Sequence, residues 1–337
     1  MADFLNPLFI LANFILVPGL AYGSQLALGA LGVTLIYSVL RFSNFAHGET
    51  MAFGAMITIL MTWWLQSAGV SIAPLPTALL ALPVGILGTI ALCLTTDRLV
   101  YRYYREQKAS PVTYLIVSVG VMFITGGLIR FIIGPNDQLF GDGARFIMKA
   151  RAFKQMTGLN EGLAIKTSQG VTVVTAVIVV LAVFWFLNRT RTGKSMRAFS
   201  DNEDLALLSG INPDKVVMIA WIITAALATI AGTLYGLDKS FKPFVYLQLL
   251  LPIFAAAIVG GVGSPVGAIA GGFVIAFSEL IITFAYKRVV TYILPESMAP
   301  EGLVQFLSTD YKFAVSFVIL VIVLLVKPTG IFSGKSI

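Results

Sequence analysis

The chain has a single histidine, and an acid follows it two residues later in Arg41-Phe42-Ser43-Asn44-Phe45-Ala46-His47-Gly48-Glu49-Thr50. The stretch lies between two apolar runs. Ionisable groups at membrane depth are costly and mark either a transport path or a structural hydrogen-bond network. The alternative is a plain turn, with Gly48 bending the chain between two apolar segments. Zinc is not expected, because such a site takes three or four ligands, and one His and one Cys cannot dominate that set. The one cysteine, Cys93, sits in an apolar run and reads as a small buried hydrophobe.

A second stretch, Ser195 to Lys215, is dense in helix punctuation. Ser200 and Glu203 have capping-box spacing. Asp201 and Asp204 fall in the first turn, where the helix dipole favours acids. Gly210 suits the left-handed position that ends a helix, and Asn212 followed by Pro213 starts the next one. The spacing predicts a short helix near 201–209 that turns sharply into a membrane helix. Such a helix either docks into a groove on a partner or rests on lipid headgroups.

The third stretch, Phe254 to Gly272, interrupts an apolar segment with Gly260, Gly261, Gly263, Gly267, Gly271, Gly272 and Pro265. Broken helices at membrane depth line cavities and often build transport sites; close packing is the alternative. No nucleotide motif is present. A P-loop needs a glycine five residues before its Gly-Lys-Ser/Thr, but Gly193-Lys194-Ser195 has Asn188 there and Gly334-Lys335-Ser336 has Thr329. If ATP drives this protein, another chain binds it.

The elements that must hold these residues are membrane helices. Hydrophobic residues make up 58% of 337 residues and charged ones 12%, about half the charge of a soluble domain. Mean hydropathy is +0.90. An apolar surface suits lipid as solvent. Continuous apolar runs of about 20 residues favour helices over alternating barrel strands. Segments are expected near 8–22, 24–41, 48–66, 76–96, 112–133, 170–188, 216–236, 249–262, 265–284 and 312–327, the pair around Gly263-Ser264-Pro265 being a possible re-entrant hairpin. The fold class is thus an all-α polytopic membrane protein of about eight to ten transmembrane or re-entrant helices, in one membrane domain over 1–337. The start, Met1-Ala2-Asp3-Phe4, lacks the basic region of a cleaved signal, so the first segment is expected to stay.

The net charge of +7 reflects basic loops that set orientation; without basic stripes interleaved with aromatics, no nucleic-acid partner is expected. Residues 97–111 and the loop at 189–215 read as cytoplasmic, and ten segments then put both termini inside. The loop at about 134–169 should lie outside, although it carries Arg145, Lys149, Arg151, Lys154 and Lys166. Small residues recur every four positions in Gly19-Gly23-Ala27, Ala228-Gly232-Gly236 and Gly263-Gly267-Gly271, spacing that lets helices approach closely.

Asn44-Phe45-Ala46-His47-Gly48-Glu49 resembles the signature of LivH-type permeases, the transmembrane subunits of branched-chain amino acid ABC transporters. The loop ending Leu208-Ser209-Gly210-Ile211-Asn212 looks like their ATPase-coupling loop. Ala255 to Gly272 is similar to their glycine-rich segment, and Lys327-Pro328-Thr329-Gly330-Ile331-Phe332 to their tail, with Lys for Arg. The resemblance spans about 20–335. It implies an ATP-driven importer in a bacterial inner membrane, with a LivM-like second permease, two ATP-binding cassette subunits and a periplasmic substrate-binding protein. This chain would then be no enzyme and bind no cofactor, ATP being held by the partner subunits. The resemblance assigns Ser200, Glu203, Asp204 and Gly210 to ATPase coupling. It makes Asn44, His47 and Glu49 candidates for the translocation path or its support, and Gly260, Gly261 and Gly263 candidates for a gate or tight packing. A urea or short-amide permease of the same superfamily is the nearest alternative. An ion-coupled secondary transporter would need intramembrane ionisable groups, for which Glu49, Glu279 and Arg130 are the candidates. An intramembrane protease would need a nucleophile for His47, and no motif supplies one.

Overall fold

The computed structural model describes residues 2–141, 143–293, 300, 302–327 and 329–332. Pro328 of the tail motif and the rejected Gly334-Lys335-Ser336 triplet lie outside the described residues. The helices are α1 (Ala2–Leu11), α2 (Val17–Leu40), α3 (His47–Ser67), α4 (Ala78–Thr96), α5 (Arg102–Glu106), α6 (Pro111–Ile133), α7 (Ala150–Thr157), α8 (Thr167–Arg189), α9 (Arg191–Asp201), α10 (Glu203–Leu208), α11 (Pro213–Lys239), α12 (Val245–Gly260), α13 (Pro265–Thr283), α14 (Lys287–Ile293) and α15 (Lys312–Val326). Two short strands, β1 (Phe146–Met148) and β2 (Ile165–Lys166), pair antiparallel inside the long loop. Seven helical stretches among the described residues are long and apolar enough to cross a bilayer. The chain is therefore an all-α polytopic membrane protein, as its apolar runs predict.

The first two predicted segments are one rod. Leu5–Leu40 runs for 36 residues, about 54 Å at 1.5 Å per residue, longer than a hydrocarbon core. A π-helical turn at Ala12–Leu16 absorbs the missing N–H and ring bulk of Pro18 without breaking the helix. Gly19 and Gly23 do not break it either. A Cβ on Gly19 would stand 2.5 Å from the Phe277 ring, and one on Gly23 2.4 Å from Phe273. Gly19 and Gly23 are thus seats for aromatic rings of α13, whereas Ala27, the third member of the run, meets its backbone: a Cβ on Gly272 would fall 2.6 Å from Ala27 N.

The seven long stretches, with α3 and the shorter apolar α12 added, make nine helical passes among the described residues. An odd count puts residues 2–11 and 329–332 at opposite ends of the bundle. Asn6 accepts a hydrogen bond from the Glu161 N–H of the long loop (3.1 Å), whereas Ile331 N–H donates to Val259 O (2.8 Å) at the far end. The count differs from the ten segments expected because residues 8–41, read as two segments, form one continuous helical stretch.

α2 and α11 form the centre, packed on each other and on α3, α12 and α13. α8 and α15 lie on the rim, with Ile178, Leu181, Val318 and Leu325 exposed, as lipid-facing helices require. The predicted hairpin at Gly263-Ser264-Pro265 is two antiparallel helices, α12 and α13, in backbone contact. A Cβ on Gly260 would fall 1.9 Å from Gly267 O, and one on Gly271 2.0 Å from Ala256 O. Gly261 and Gly263 make the turn between them with φ of 108° and 85°, values that L side chains resist.

Candidate functional site

The stretch Phe42–Ala46 is not helical, yet Phe42, Asn44 and Ala46 are buried. From Arg41, the chain climbs back into the bundle. Phe42 stacks on Tyr114 in the first turns of α6 and packs against Tyr101. Phe45 N–H donates to Ser118 Oγ (3.1 Å), one turn further along α6. Asn44 Oδ1 accepts from Ala46 N–H (3.1 Å) and from Tyr101 OH (3.3 Å). These bonds satisfy backbone that could not otherwise sit among membrane helices. α3 consequently begins in the interior, and the motif is not a surface turn.

His47, 1% exposed, is wedged between α2 and α11. A Cβ on Gly32 would come within 2.9 Å of its ring and 3.6 Å of Leu227. Gly48 allows α3 to meet α12, since a Cβ there would be 2.6 Å from Tyr246 O. Glu49, 2% exposed, points to α6. Its Oε1 lies 3.9 Å from Arg130 Nη1, and it passes Gly126, where a Cβ would stand 2.9 Å from the carboxylate. The Arg130 guanidinium also lies over the Phe244 ring, 5.0 Å from its centroid. Arg130 is the partner for Glu49 that the sequence could not assign, 81 positions away; the signal was its isolation as a lone charge in an apolar helix.

Further along, α11 is clamped to α4 and to α3 by threonines. Thr229 Oγ1 donates to Thr89 Oγ1 (2.8 Å), and Thr233 Oγ1 to Thr58 Oγ1 (3.3 Å). Gly232 admits the Met51 carbonyl, which a Cβ would approach to 2.4 Å. Displacing α11 therefore displaces α3 and with it His47 and Glu49.

The predicted coupling segment is two helices. α9 holds Ser200, so Ser200 is not the N-cap of α10, and the capping box with Glu203 is absent. Asn202 has the extended φ and ψ of a cap (−154°, 109°), and its Oδ1 accepts from Leu205 N–H (3.0 Å). The run Arg191–Asp201 continues as helix because Thr190 caps it through Gly193 N–H (2.9 Å), a start signal that the sequence reading passed over. Glu203 and Asp204 occupy the first turn of α10. Gly210 has φ +80°. Its N–H donates to Leu207 O (3.0 Å) and Ile211 N–H to Ala206 O (3.1 Å), the paired bonds of a Schellman stop. Asn212 then caps α11 through Lys215 N–H (3.1 Å). Leu205 and Leu208 stand 63% and 86% exposed.

Ser200 and Gly263, from two separate motifs, line one cleft with Arg41, Met196 and Pro265. The Arg41 guanidinium donates to Ser200 O. The tail closes the same end, with Phe332 N–H donating to Gly260 O (3.2 Å) and Gly330 packed on Gly261. Asn44, His47 and Glu49 lie deeper and line none of it. Glu279 is buried beside Lys312, Nζ to Oε2 3.5 Å, and bonds Ser316, so its charge is matched within the chain. Among the described residues, no three His, Cys, Asp or Glu side chains gather as for a metal.

A family model described as branched-chain amino acid transport system, permease component, matches residues 15–324. The chain is 29% identical to the high-affinity branched-chain amino acid transport system permease protein LivH of Escherichia coli K12, over 93% of this chain and 92% of that one. It is 27% identical to the corresponding BraD protein of Pseudomonas aeruginosa, over 94% of each, and 28% identical to a probable LivH of Methanocaldococcus jannaschii, over 95% and 92%.

Proposed function

The chain belongs to the branched-chain amino acid transport system permease family, and from that premise we propose that it is the transmembrane permease subunit of an ATP-driven importer. It carries branched-chain amino acids delivered by a periplasmic binding protein. Two ATP-binding cassette subunits hydrolyse the ATP, and a LivM-like permease completes the path. The observation that supports this reading most is α10. It is six residues long, capped at both ends, and turns apolar side chains outward at one end of the bundle. Exposed leucines on a helix this short favour a partner's groove.

The same end carries Arg98, Arg102, Arg105 and Lys108 with Arg189, Arg191, Lys194 and Arg197, and Arg105 lies 3.9 Å from Asp214 at the start of α11. Basic clusters face the cytoplasm, so we place α9, α10 and the tail there, in a bacterial inner membrane, with residues 2–11 and the 134–166 loop outside. In this mechanism ATP closes the ATPase pair and shifts α10. The stiff Gly210 turn passes the shift to α11, whose threonine and glycine face drags α3, and the buried His47–Glu49 turn moves against α6 and α12. Alternating access follows.

The test is reconstitution of the chain with the second permease, the ATPases and the binding protein in proteoliposomes. Leucine uptake should require both internal ATP and loaded binding protein. Uptake by this chain alone on an ion gradient would replace the reading with secondary transport. Uptake of urea or amides without leucine would move the substrate to the sister class.

A further inference from the structure

On the face placed outside above, Arg145, Lys149, Arg151 and Lys154 follow one another closely in the chain. Arg145, Lys149 and Arg151 are exposed and Lys154 is half-buried. Among the described residues none of the four has an ion-pair partner; Arg145 only covers the Phe146 ring, 5.5 Å from its centroid. At the same end Asp137 is already held by Lys242, Glu161 by Arg288, and Asp238 by Lys166 and Lys239. Basic residues outside run against the bias that orients membrane proteins. Lys149 and Arg151 also stand at the N-cap and first turn of α7, where the helix dipole disfavours cations, and no acid shares that turn. Nothing within the chain offsets this charge, so its counterpart is an acidic group from elsewhere.

The segment is pinned, and it stands above the membrane helices. Trp63 Nε1–H and the Gln66 amide donate to Leu139 O and Phe140 O (3.1 and 2.9 Å). Ala144 N–H donates to Pro74 O (2.8 Å), and buried Glu161 accepts from Tyr292 OH (3.0 Å). From Leu40 to Phe14 the α2 rod rises about 39 Å, the thickness of a hydrocarbon core with most of its headgroup layers. Neighbouring helices end at that level. Just before α8, Ala164 N–H donates to Asn13 Oδ1 (3.0 Å); just after α13, Phe284 packs on Phe14 (6.0 Å). α7 sits higher, because its Phe153 packs on Phe9 (4.9 Å), about 7 Å further along the rod. Phe153 is thereby used within the chain, and Met156 stands 81% exposed. A basic helix at that height favours a soluble protein over lipid headgroups. Arg145 also lines a cavity of about 710 Å³ with Lys166, Asp238 and Gly236 at the outer end of α11.

We propose that α7 and Arg145 form the docking site for an acidic face of the periplasmic binding protein, which then stands over the cavity at the outer end of α11. Carboxylates of the binding protein meet Lys149, Arg151 and Lys154, and Met156 supplies an apolar contact of the kind enriched at interfaces. Exposed charges of this sort speed encounter more than they slow release, which suits a carrier that must leave once unloaded. No covalent step is involved. The inference rests on the importer reading and adds to it where the binding protein lands and by what chemistry.

The experiment measures association of the binding protein of the same uptake system, loaded with leucine, with the four-subunit membrane complex in phosphatidylcholine nanodiscs. For wild type the association rate should fall steeply between about 0.05 and 0.5 M salt, as the Debye length shortens. The triple variant Lys149→Glu, Arg151→Glu, Lys154→Glu should associate about tenfold or more slowly at the low salt, with little change in dissociation, and should match wild type at the high salt. That match shows that the variant is folded. The milder triple variant Lys149→Gln, Arg151→Gln, Lys154→Gln should fall between the two, and it carries the test if the reversed one does not assemble. Low-salt association unchanged from wild type overturns the inference, as does a loss that persists at high salt. Repeating the measurement in nanodiscs containing phosphatidylglycerol tests lipid as the partner. If the variants lower the thermal midpoint only there and associate as wild type in both, the cations hold headgroups and the inference is overturned. Leucine uptake separates the two readings. Wild-type uptake with association unchanged in the variants removes only this inference, whereas no wild-type uptake of any amino acid removes the importer reading beneath it.

Discussion

Replacing Gly210 tests whether the turn between α10 and α11 carries force. Its φ of +80° is open to glycine and strained for other residues. A Cβ there would meet nothing within 4 Å, so any effect is conformational, not a clash. Placing alanine in a left-handed conformation costs roughly 1–2 kcal/mol; valine, branched at Cβ, belongs at the upper end of the roughly 1–3 kcal/mol range for strained backbone. The two Schellman bonds at this turn contribute about 0.5–1.5 kcal/mol each. Alanine should therefore leave the turn mostly formed, while valine roughly cancels the bonds that hold it. Asparagine, which tolerates positive φ, should behave nearly as glycine. The readout is leucine transported per ATP hydrolysed in proteoliposomes, with the order Gly, Asn, Ala, Val from best to worst and normal insertion throughout. A Gly210→Val complex with the wild-type ratio would refute the reasoning, as would Gly210→Asn failing as badly as valine.

Further outcomes are expected. The purified chain alone should show no ATPase activity above a mock preparation, because Gly193-Lys194-Ser195 is part of a helix packed on α8 and lacks P-loop spacing. Gly260→Ala should lower thermal stability in detergent by about 3 kcal/mol or more, since backbone cannot yield as a side chain can. Gly120→Ala, with nothing within 4 Å, should be neutral or stabilising by up to about 1 kcal/mol; equal effects would show that α12 and α13 do not pack as described. Lys312→Met should destabilise by about 3–5 kcal/mol by stranding Glu279, and adding Glu279→Gln should restore most of it, as a double-mutant cycle in thermal unfolding would report. His47→Ala should lower uptake with assembly intact, and unchanged uptake would reduce the buried motif to packing.

Helices were legible in the sequence because lipid demands long apolar runs, and α3, α6, α8, α11 and α15 fall within a few residues of their predicted spans. What misled was punctuation. Pro18, Gly19 and Gly23 look like breaks, yet a π-turn and the rings of Phe273 and Phe277 absorb them, so two expected segments are one. Ser200 has the right spacing for a cap and so does Asn202; the backbone chose Asn202 because Thr190 had already started a helix that runs through Ser200. The pairing of Glu49 with Arg130 was hidden for a different reason. Nothing local links positions 49 and 130, and only the climb of residues 42–46 back into the bundle brings them together.

The tail that bonds Val259 and Gly260 has a consequence for biogenesis. Those carbonyls end α12, and their partners at Ile331 and Phe332 are synthesised about 72 residues later. At ribosomal speeds of about 5–20 residues per second, that is roughly 4–14 s during which the α12–α13 turn sits in the nascent protein with its carbonyls uncovered. Quality control that senses exposed polar backbone has that interval in which to act, and a reporter fused directly after Phe332 would compete with the last step of assembly. Tags on this subunit belong at the other end of the bundle.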